Sequence, residues 1–262
     1  NKQLAFGSIS FDELYYQYKE NDFLLKLGRF QKSVSVLTNA QRSQFRFQSN
    51  AANVHWTDGL YFKATLSTDW FSEAIIEYQD RDAISYPYQQ FLNFGNNKHN
   101  LNYYFGAENR TPQNYIIQKG FGLFLAPKAY LKPDGFSNYV ALMSRITLDF
   151  PMRETLNGGS IRVAGEIGQN INTAFEDGTS AITSIGINNF ADHHEFMIEL
   201  ASTDAQWLTA SAFGTNSDEI EFRYRYIMGP KFNFDIRYRI RESRIDYIPT
   251  QYSTFIRFTF SI

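Results

Sequence analysis

The chain is predicted to be all-β: a transmembrane, antiparallel, up-and-down β-barrel of about fourteen strands, with twelve as the alternative. Three observations predict this. Apolar and polar residues alternate with period two over segments of about 10–13 residues. The connections alternate between short and long. The prolines fall in the connections.

The alternation is clearest in Glu219–Met228, Lys231–Arg241 and Tyr252–Ile262. Ile220, Phe222, Tyr224, Tyr226 and Met228 oppose Glu221, Arg223 and Arg225. Phe232, Phe234, Ile236, Tyr238 and Ile240 oppose Asn233, Asp235, Arg237, Arg239 and Arg241. Ile256, Phe258, Phe260 and Ile262 oppose Arg257, Thr259 and Ser261. Side chains of period two stand on opposite sheet faces, so one face is apolar and the other cationic. A soluble sandwich would bury the apolar face; a membrane barrel turns it to lipid and its polar face to a wet lumen.

Segment length decides between them. Strands are expected at 5–19, 23–34, 54–66, 70–79, 99–108, 115–125, 138–150, 160–170, 181–190, 194–207, 218–228, 231–242 and 252–262. Ordinary strands run about 5–6 residues, whereas a tilted membrane strand needs about 9–11. Thirteen segments leave an odd count. The direction of the first segment calls for an upward strand before it, which makes fourteen. That first segment breaks phase, and a bulge near Asp12-Glu13 would account for it. Segment 115–125 also fits poorly, because Lys119 shares a face with Phe121, Leu123 and Leu125.

Short connections at 20–22, 67–69, 109–114, 191–193 and 229–230 alternate with longer ones at 35–53, 80–98, 126–137, 171–180, 208–217 and 243–251; the link 151–159 falls on the short side. Short periplasmic turns and longer external loops follow this order in bacterial barrels. Pro87, Pro112, Pro127, Pro133, Pro151, Pro230 and Pro249 all lie in connections, as expected where a closed ladder excludes proline.

Composition agrees. The 262 residues suit a single domain over 1–262. No run approaches the roughly 18 apolar residues of a membrane helix. The 25 Phe, 17 Tyr and 3 Trp fit a lipid face with aromatic girdles. A net charge of −2 gives no nucleic-acid signal, and the absence of cysteine removes disulfides and thiolate metal sites. The chain opens at Asn1-Lys2-Gln3 without a signal peptide, as expected of a matured exported protein.

Two stretches carry a resemblance. Tyr252–Ile262 resembles the terminal strand of outer-membrane proteins, although this chain ends in Ile262 where that pattern usually ends in Phe or Trp. Glu13-Leu14-Tyr15-Tyr16 followed by Leu25-Lys26-Leu27-Gly28-Arg29-Phe30 resembles a strand pair of Gram-negative porins, including substrate-selective porins of the alginate-export and phosphate type. The resemblance implies a porin-like barrel in a Gram-negative outer membrane.

The chemistry lies in the polar face. Arg223, Arg225, Arg237, Arg239, Arg241 and Arg257 fall on three consecutive strands and are expected to face the lumen as one patch. Lys26, Lys63 and Arg145 add cations to the wall. Guanidinium forks suit carboxylate and phosphate. The patch either attracts anions or neutralises neighbouring acids. Candidate acids are Glu73, Glu77, Glu108, Glu195, Glu199 and Glu221, with Asp149 and Glu166; most are expected across the lumen from the arginines. Asp192-His193-His194 falls at a short turn, where adjacent side chains diverge and no chelate forms. His55 and His99 are isolated. The 35–53 connection, with Gln41, Arg42, Gln44, Arg46, Gln48 and Asn50, could constrict the pore, and Tyr86 and Tyr88 could stack sugars.

The sequence therefore predicts a passive outer-membrane channel for small hydrophilic anions: acidic sugars, carboxylates or phosphate. Its expected partners are outer-membrane lipid and small anionic solutes, with a homo-oligomer left open and nucleic acid excluded. No cofactor, metal or catalytic residue is expected, since permeation uses lumen width and field. The alternatives are a structural or partner-binding barrel without conductance and, third, a barrel enzyme.

Overall fold

The computed structural model describes residues 14–34, 52–80, 99–132, 135–152, 158–173, 178–207, 216–229 and 232–260. These contain thirteen strands and no helix: β1 (Leu14–Glu20), β2 (Phe23–Val34), β3 (Ala52–Thr65), β4 (Trp70–Asp80), β5 (His99–Asn109), β6 (Ile116–Lys132), β7 (Gly135–Pro151), β8 (Ser160–Asn170), β9 (Thr179–Phe190), β10 (His194–Thr203), β11 (Ser217–Met228), β12 (Phe232–Ser243) and β13 (Gln251–Phe260). Every strand pairs antiparallel with its sequence neighbours in one meander, and β1 and β13 are its edges among the described residues. The bulge expected near Asp12-Glu13, and the strand expected to precede it, lie outside the described residues.

The sheet is built inside out. Its outward face is apolar: Phe258 and Phe260 are 67% and 72% exposed, and Leu101, Phe105, Phe121, Leu123, Leu142, Ile146, Ile185, Phe196 and Leu200 are also exposed. Its concave face is charged and buried: Glu199 and Glu221 are each 1% exposed, Asp235 and Arg237 3%. A soluble protein would not expose so much apolar surface around its whole girth. Against hydrocarbon the outward side chains are solvated by lipid, and the polar face needs the interior. An outward position near mid-strand is therefore intolerant of charge. Leu142→Arg is expected to cost roughly 2–4 kcal/mol of folding stability, the depth-dependent penalty for a lipid-facing arginine. Denaturant unfolding in lipid vesicles reads the loss.

Turn chemistry fixes the short ends. Asn21 (φ 33°) turns β1 into β2, and Gly229 (φ 73°) leads out of β11. Ala191 (φ 46°) and Asp192 (φ 64°) lie in the left-handed region between β9 and β10. Lys119 does share the outward face, opposite Ile146, and its position explains the tolerance. It sits at the turn end of β6, where its ammonium reaches Gln113 Oε1 (3.0 Å) and lies 5.9 Å from the Trp70 ring. It snorkels out of the apolar band.

Three sequence expectations are corrected. Residues 126–132 and 135–137 are strand, not loop: β6 and β7 run 17 residues each and pair antiparallel. Pro151 is the last residue of β7, paired with Ser160, and Pro127 consequently lies inside β6. It occupies a register shift between Ala126 and Tyr130, beside Lys128 (φ 55°), whose N–H donates to Asn138 Oδ1 (3.0 Å). A bulge leaves residues unpaired, so the missing proline donor does no harm. Third, β10 ends at Thr203, and residues 204–207 leave the sheet.

Candidate functional site

The register of β10–β13 sorts the inner wall into cross-strand rows. Glu195, Arg225, Asp235 and Arg257 align in one. Met197, Arg223, Arg237 and Phe255 form the next. Glu199, Glu221, Arg239 and Ser253 follow, then Ala201, Glu219, Arg241 and Gln251. Strands lie about 4.8 Å apart, so row neighbours touch. Sign alternates along the first row. The second holds two guanidiniums and no carboxylate.

The six predicted arginines are thus brought together, and the carboxylates stand among them. Asp235 is the hub: it accepts from Arg223 Nε (2.7 Å) and Arg237 Nε (2.7 Å), contacts Arg223 Nη2, and lies 3.6 Å from Arg225 Nε. Arg225 Nη1 pairs with Glu195 (2.8 Å). Arg239 Nη2 donates to Glu221 Oε2 (2.7 Å), and its Nε lies 2.9 Å from Glu219; Arg241 Nε donates to Glu219 (2.8 Å). The Arg237 guanidinium also lies 5.2 Å from the Phe255 ring centroid. Glu195, Glu199 and Glu221 therefore do not face the arginines across the lumen; they are interleaved with them. The expected segregation of charge fails there because β10 registers on β11 and β11 on β12, so all three belong to one stretch of wall.

Glu73, Glu77 and Glu108 lie on β4 and β5, remote from the arginines in strand order. Glu108 and Arg145 both register on Gly120 of β6, and its missing side chain leaves the gap they span. Arg145 Nη2 reaches Glu108 Oε1 at 2.9 Å, Arg110 Nε donates to the same carboxylate at 3.0 Å, and Gln118 also contacts it. Glu166 registers beside Arg145, and Arg162 pairs with Asp149 at 3.0 Å. On β3 and β4, Tyr61 donates to Glu73 (2.6 Å), and Lys63 Nζ lies 3.9 Å from it; Asn102 donates to Glu77 (2.8 Å). Lys26 lies over the Tyr15 ring at 4.4 Å.

Sequence reasoning missed several residues. Glu219 is a pairing acid of the wall. Arg29 and Asp58 make a buried two-pronged pair (2.9 and 2.8 Å). The clue to Glu219 was its period-two spacing with Glu221, while the β2–β3 pairing that joins Arg29 to Asp58 is not written in either strand alone. A packed apolar cluster was also missed: Phe30, Tyr61, Ile75, Tyr104, Tyr139, Met143 and Trp207 are all buried together.

Tyrosines of β11 engage the histidines at the β9–β10 turn. His194 Nδ1 lies 2.8 Å from Tyr224 Oη, and His193 stacks edge-on against Tyr226. Among the described residues no group of His, Cys, Asp and Glu could hold a metal ion. The side chains of His55 and His99, and the connections proposed to constrict the pore or stack sugars, lie outside the described residues.

No family model and no curated protein sequence matches the chain. Solved structures do. Pseudomonas aeruginosa OpdQ superposes with a TM-score of 0.61 at 9% identity, covering 94% of this chain and 70% of its own. Pseudomonas putida OprB gives 0.59 at 10% identity, covering 94% and 71%. Pseudomonas aeruginosa OprD gives 0.53 at 13% identity, covering 84% of this chain; the chain spans 56% of that protein's length. These neighbours are Gram-negative outer-membrane porins. At such identity the likeness shows the fold: a porin-like, up-and-down antiparallel β-barrel.

Proposed function

We propose that this barrel is a passive channel for small hydrophilic anions, such as carboxylates, acidic sugars or phosphate. One observation carries the reading. In a wall where guanidiniums and carboxylates otherwise interleave, the row through Arg223 and Arg237 holds cations alone. A guanidinium stays charged and presents a planar fork to carboxylate or phosphate. In a narrow lumen such a row lowers the barrier to anions, and the flanking rows, one balanced and one with an acid in excess, keep them from being trapped. The domain is one barrel, its surroundings are outer-membrane lipid, and no cofactor or catalytic group enters the reading.

The test is the reversal potential across a planar bilayer under a salt gradient. Arg237→Ser together with Arg239→Ser is expected to lower the anion-to-cation permeability ratio several-fold, since both remove wall cations. An unchanged potential would take the arginines out of the mechanism.

The packed aromatic cluster on the inner face of β2–β7 favours a second reading, a partner-binding barrel that does not conduct. Folded protein with no conductance in the bilayer decides for it.

A further inference from the structure

We propose that the outward face of β9–β12 binds one molecule of an ethanolamine lipid, its acyl chain in a groove of the sheet and its ammonium on the carboxylates at the groove's rim. The inference rests on the membrane-barrel fold and is independent of what the barrel conducts.

Small outward side chains make the groove. Register sets two outward rows side by side across these strands. Thr183, Leu200, Ile220 and Ile240 form one, and Ala181, Ser202, Asp218 and Glu242 the next. Leu200, Ile220 and Ile240 stand tall, whereas Ala181, Thr183 and Ser202 are short. The step between them is a groove of about 500 Å³, within the roughly 300–1,000 Å³ of pockets that hold a small ligand. On the opposite side of the sheet Ile182, Ala201 and Glu219 are buried, so the space opens outward. Its lining continues the lipid-facing surface: Leu200 is 48% exposed, and Ile167, which registers on Ala181, is exposed as well. A groove continuous with the apolar band takes an acyl chain, because hydrocarbon is the solvent there.

Depth places the rim among headgroups. At the short-turn end of this part of the wall the rings of His194 and Tyr226 lie 4.9 Å apart and those of Phe232 and Phe258 6.3 Å apart. Aromatic belts of this kind mark a membrane interface. Ser202 stands eight residues from His194 on β10, about 26 Å along the strand and about 20 Å of rise at a tilt of about 40°. The apolar band is about 25 Å tall, so Ser202, Asp218 and Glu242 lie at its opposite boundary.

Charge names the headgroup. Asp218 and Glu242 stand directly opposite each other across β11–β12, and both are exposed. Like charges so placed destabilise a strand pair, and a cation between them relieves it. Arg244 serves Asp218: Nε and Nη2 donate to its two oxygens (3.0 and 2.8 Å), while Nη2 reaches Ser202 Oγ (2.6 Å) and Nη1 reaches Asp204 Oδ1 (2.5 Å). Glu242 has no hydrogen-bonded or ionic partner among the described residues. Three carboxylates, Asp204, Asp218 and Glu242, against one guanidinium leave two negative charges at the mouth of an apolar groove. An ammonium complements them, and the phosphate that accompanies it in an ethanolamine lipid suits the guanidinium of Arg244. A lipid with anionic charge alone is repelled. A second copy of the chain, docked about a two-fold axis, would set the same carboxylates against each other.

The experiment uses the whole chain folded in detergent micelles, with palmitoyl-oleoyl phosphatidylethanolamine or phosphatidylglycerol added at low mole fraction. The two lipids share their chains and differ in the headgroup. Native mass spectrometry counts the lipid retained per barrel, and circular dichroism confirms that each variant is folded. The wild type is expected to retain one ethanolamine lipid and to prefer it at least fivefold over the glycerol lipid. Glu242→Gln is expected to bring that ratio close to one while a lipid is still retained. Ala181→Phe/Thr183→Leu fills the groove with apolar side chains that a lipid-facing position tolerates, and is expected to cut retention of both lipids at least fivefold. Retention unmoved by the filled groove overturns the site. A preference that is absent in the wild type, or unmoved by Glu242→Gln, overturns the headgroup assignment. Dimers that vanish when the groove is filled make it a contact between copies and overturn the lipid. None of these readouts involves conductance, so the channel reading stands or falls separately.

Discussion

Asp235→Asn is expected to raise the anion-to-cation permeability ratio of the barrel while weakening its fold. The carboxylate of Asp235 is shared by Arg223 and Arg237 and is approached by Arg225. Its neutralisation leaves three guanidiniums with less compensation in one stretch of wall. For permeation the row becomes more attractive to anions. For stability the result is opposite. Removing one member of a buried ionic cluster strands its partners in a poorly solvated place, a loss of about 3–5 kcal/mol. Reversal potentials read the first effect and denaturant midpoints in vesicles the second. A stable variant with an unchanged potential would mean that neither solute nor fold senses the hub.

Arg145→Met is expected to destabilise the barrel more than the double variant Glu108→Gln/Arg145→Met. The Arg145 side chain is fully buried against Glu108, and Gly120 leaves no side chain between them. Taking the arginine alone leaves a buried carboxylate with Arg110 and Gln118 as its remaining donors, at a cost of about 3–5 kcal/mol. Taking both charges removes the uncompensated carboxylate at 108, so the double variant is expected to lose less than Arg145→Met alone. A four-way cycle of unfolding free energies isolates the coupling. Equal losses for the single and double variants would show that Arg145 acts by filling space.

The parts of this architecture that were legible in the sequence were those decided by period. The alternation in 219–228 and 231–241 yields the two faces, and strand length tells which face meets lipid. What stayed hidden depends on register. The pairs Arg239–Glu221 and Arg241–Glu219 exist because β11 and β12 align Glu221 with Arg239 and Glu219 with Arg241. That alignment is set at the connection after Gly229, and one residue of slip would move every inner side chain outward. The interleaving of acids with arginines was invisible for the same reason. Trp207 was hidden differently. It shares the parity of Thr203, so a strand read through to residue 207 placed it on the correct face. The departure from the sheet is made by Asp204, whose bonds to Thr179 and Arg244 come from distant parts of the chain. The 126–137 stretch misled because proline reads as loop, and a bulge inside a ladder accommodates it equally well.

The β6–β7 hairpin reaches past the bilayer. Two strands of 17 residues extend about 56 Å at roughly 3.3 Å per residue. Tilted by about 40°, they rise roughly 43 Å, against an apolar band about 25 Å tall. The difference leaves a stiff, hydrogen-bonded arm beyond the apolar band. Its tip is also the natural place to graft an epitope tag without disturbing the permeation wall below.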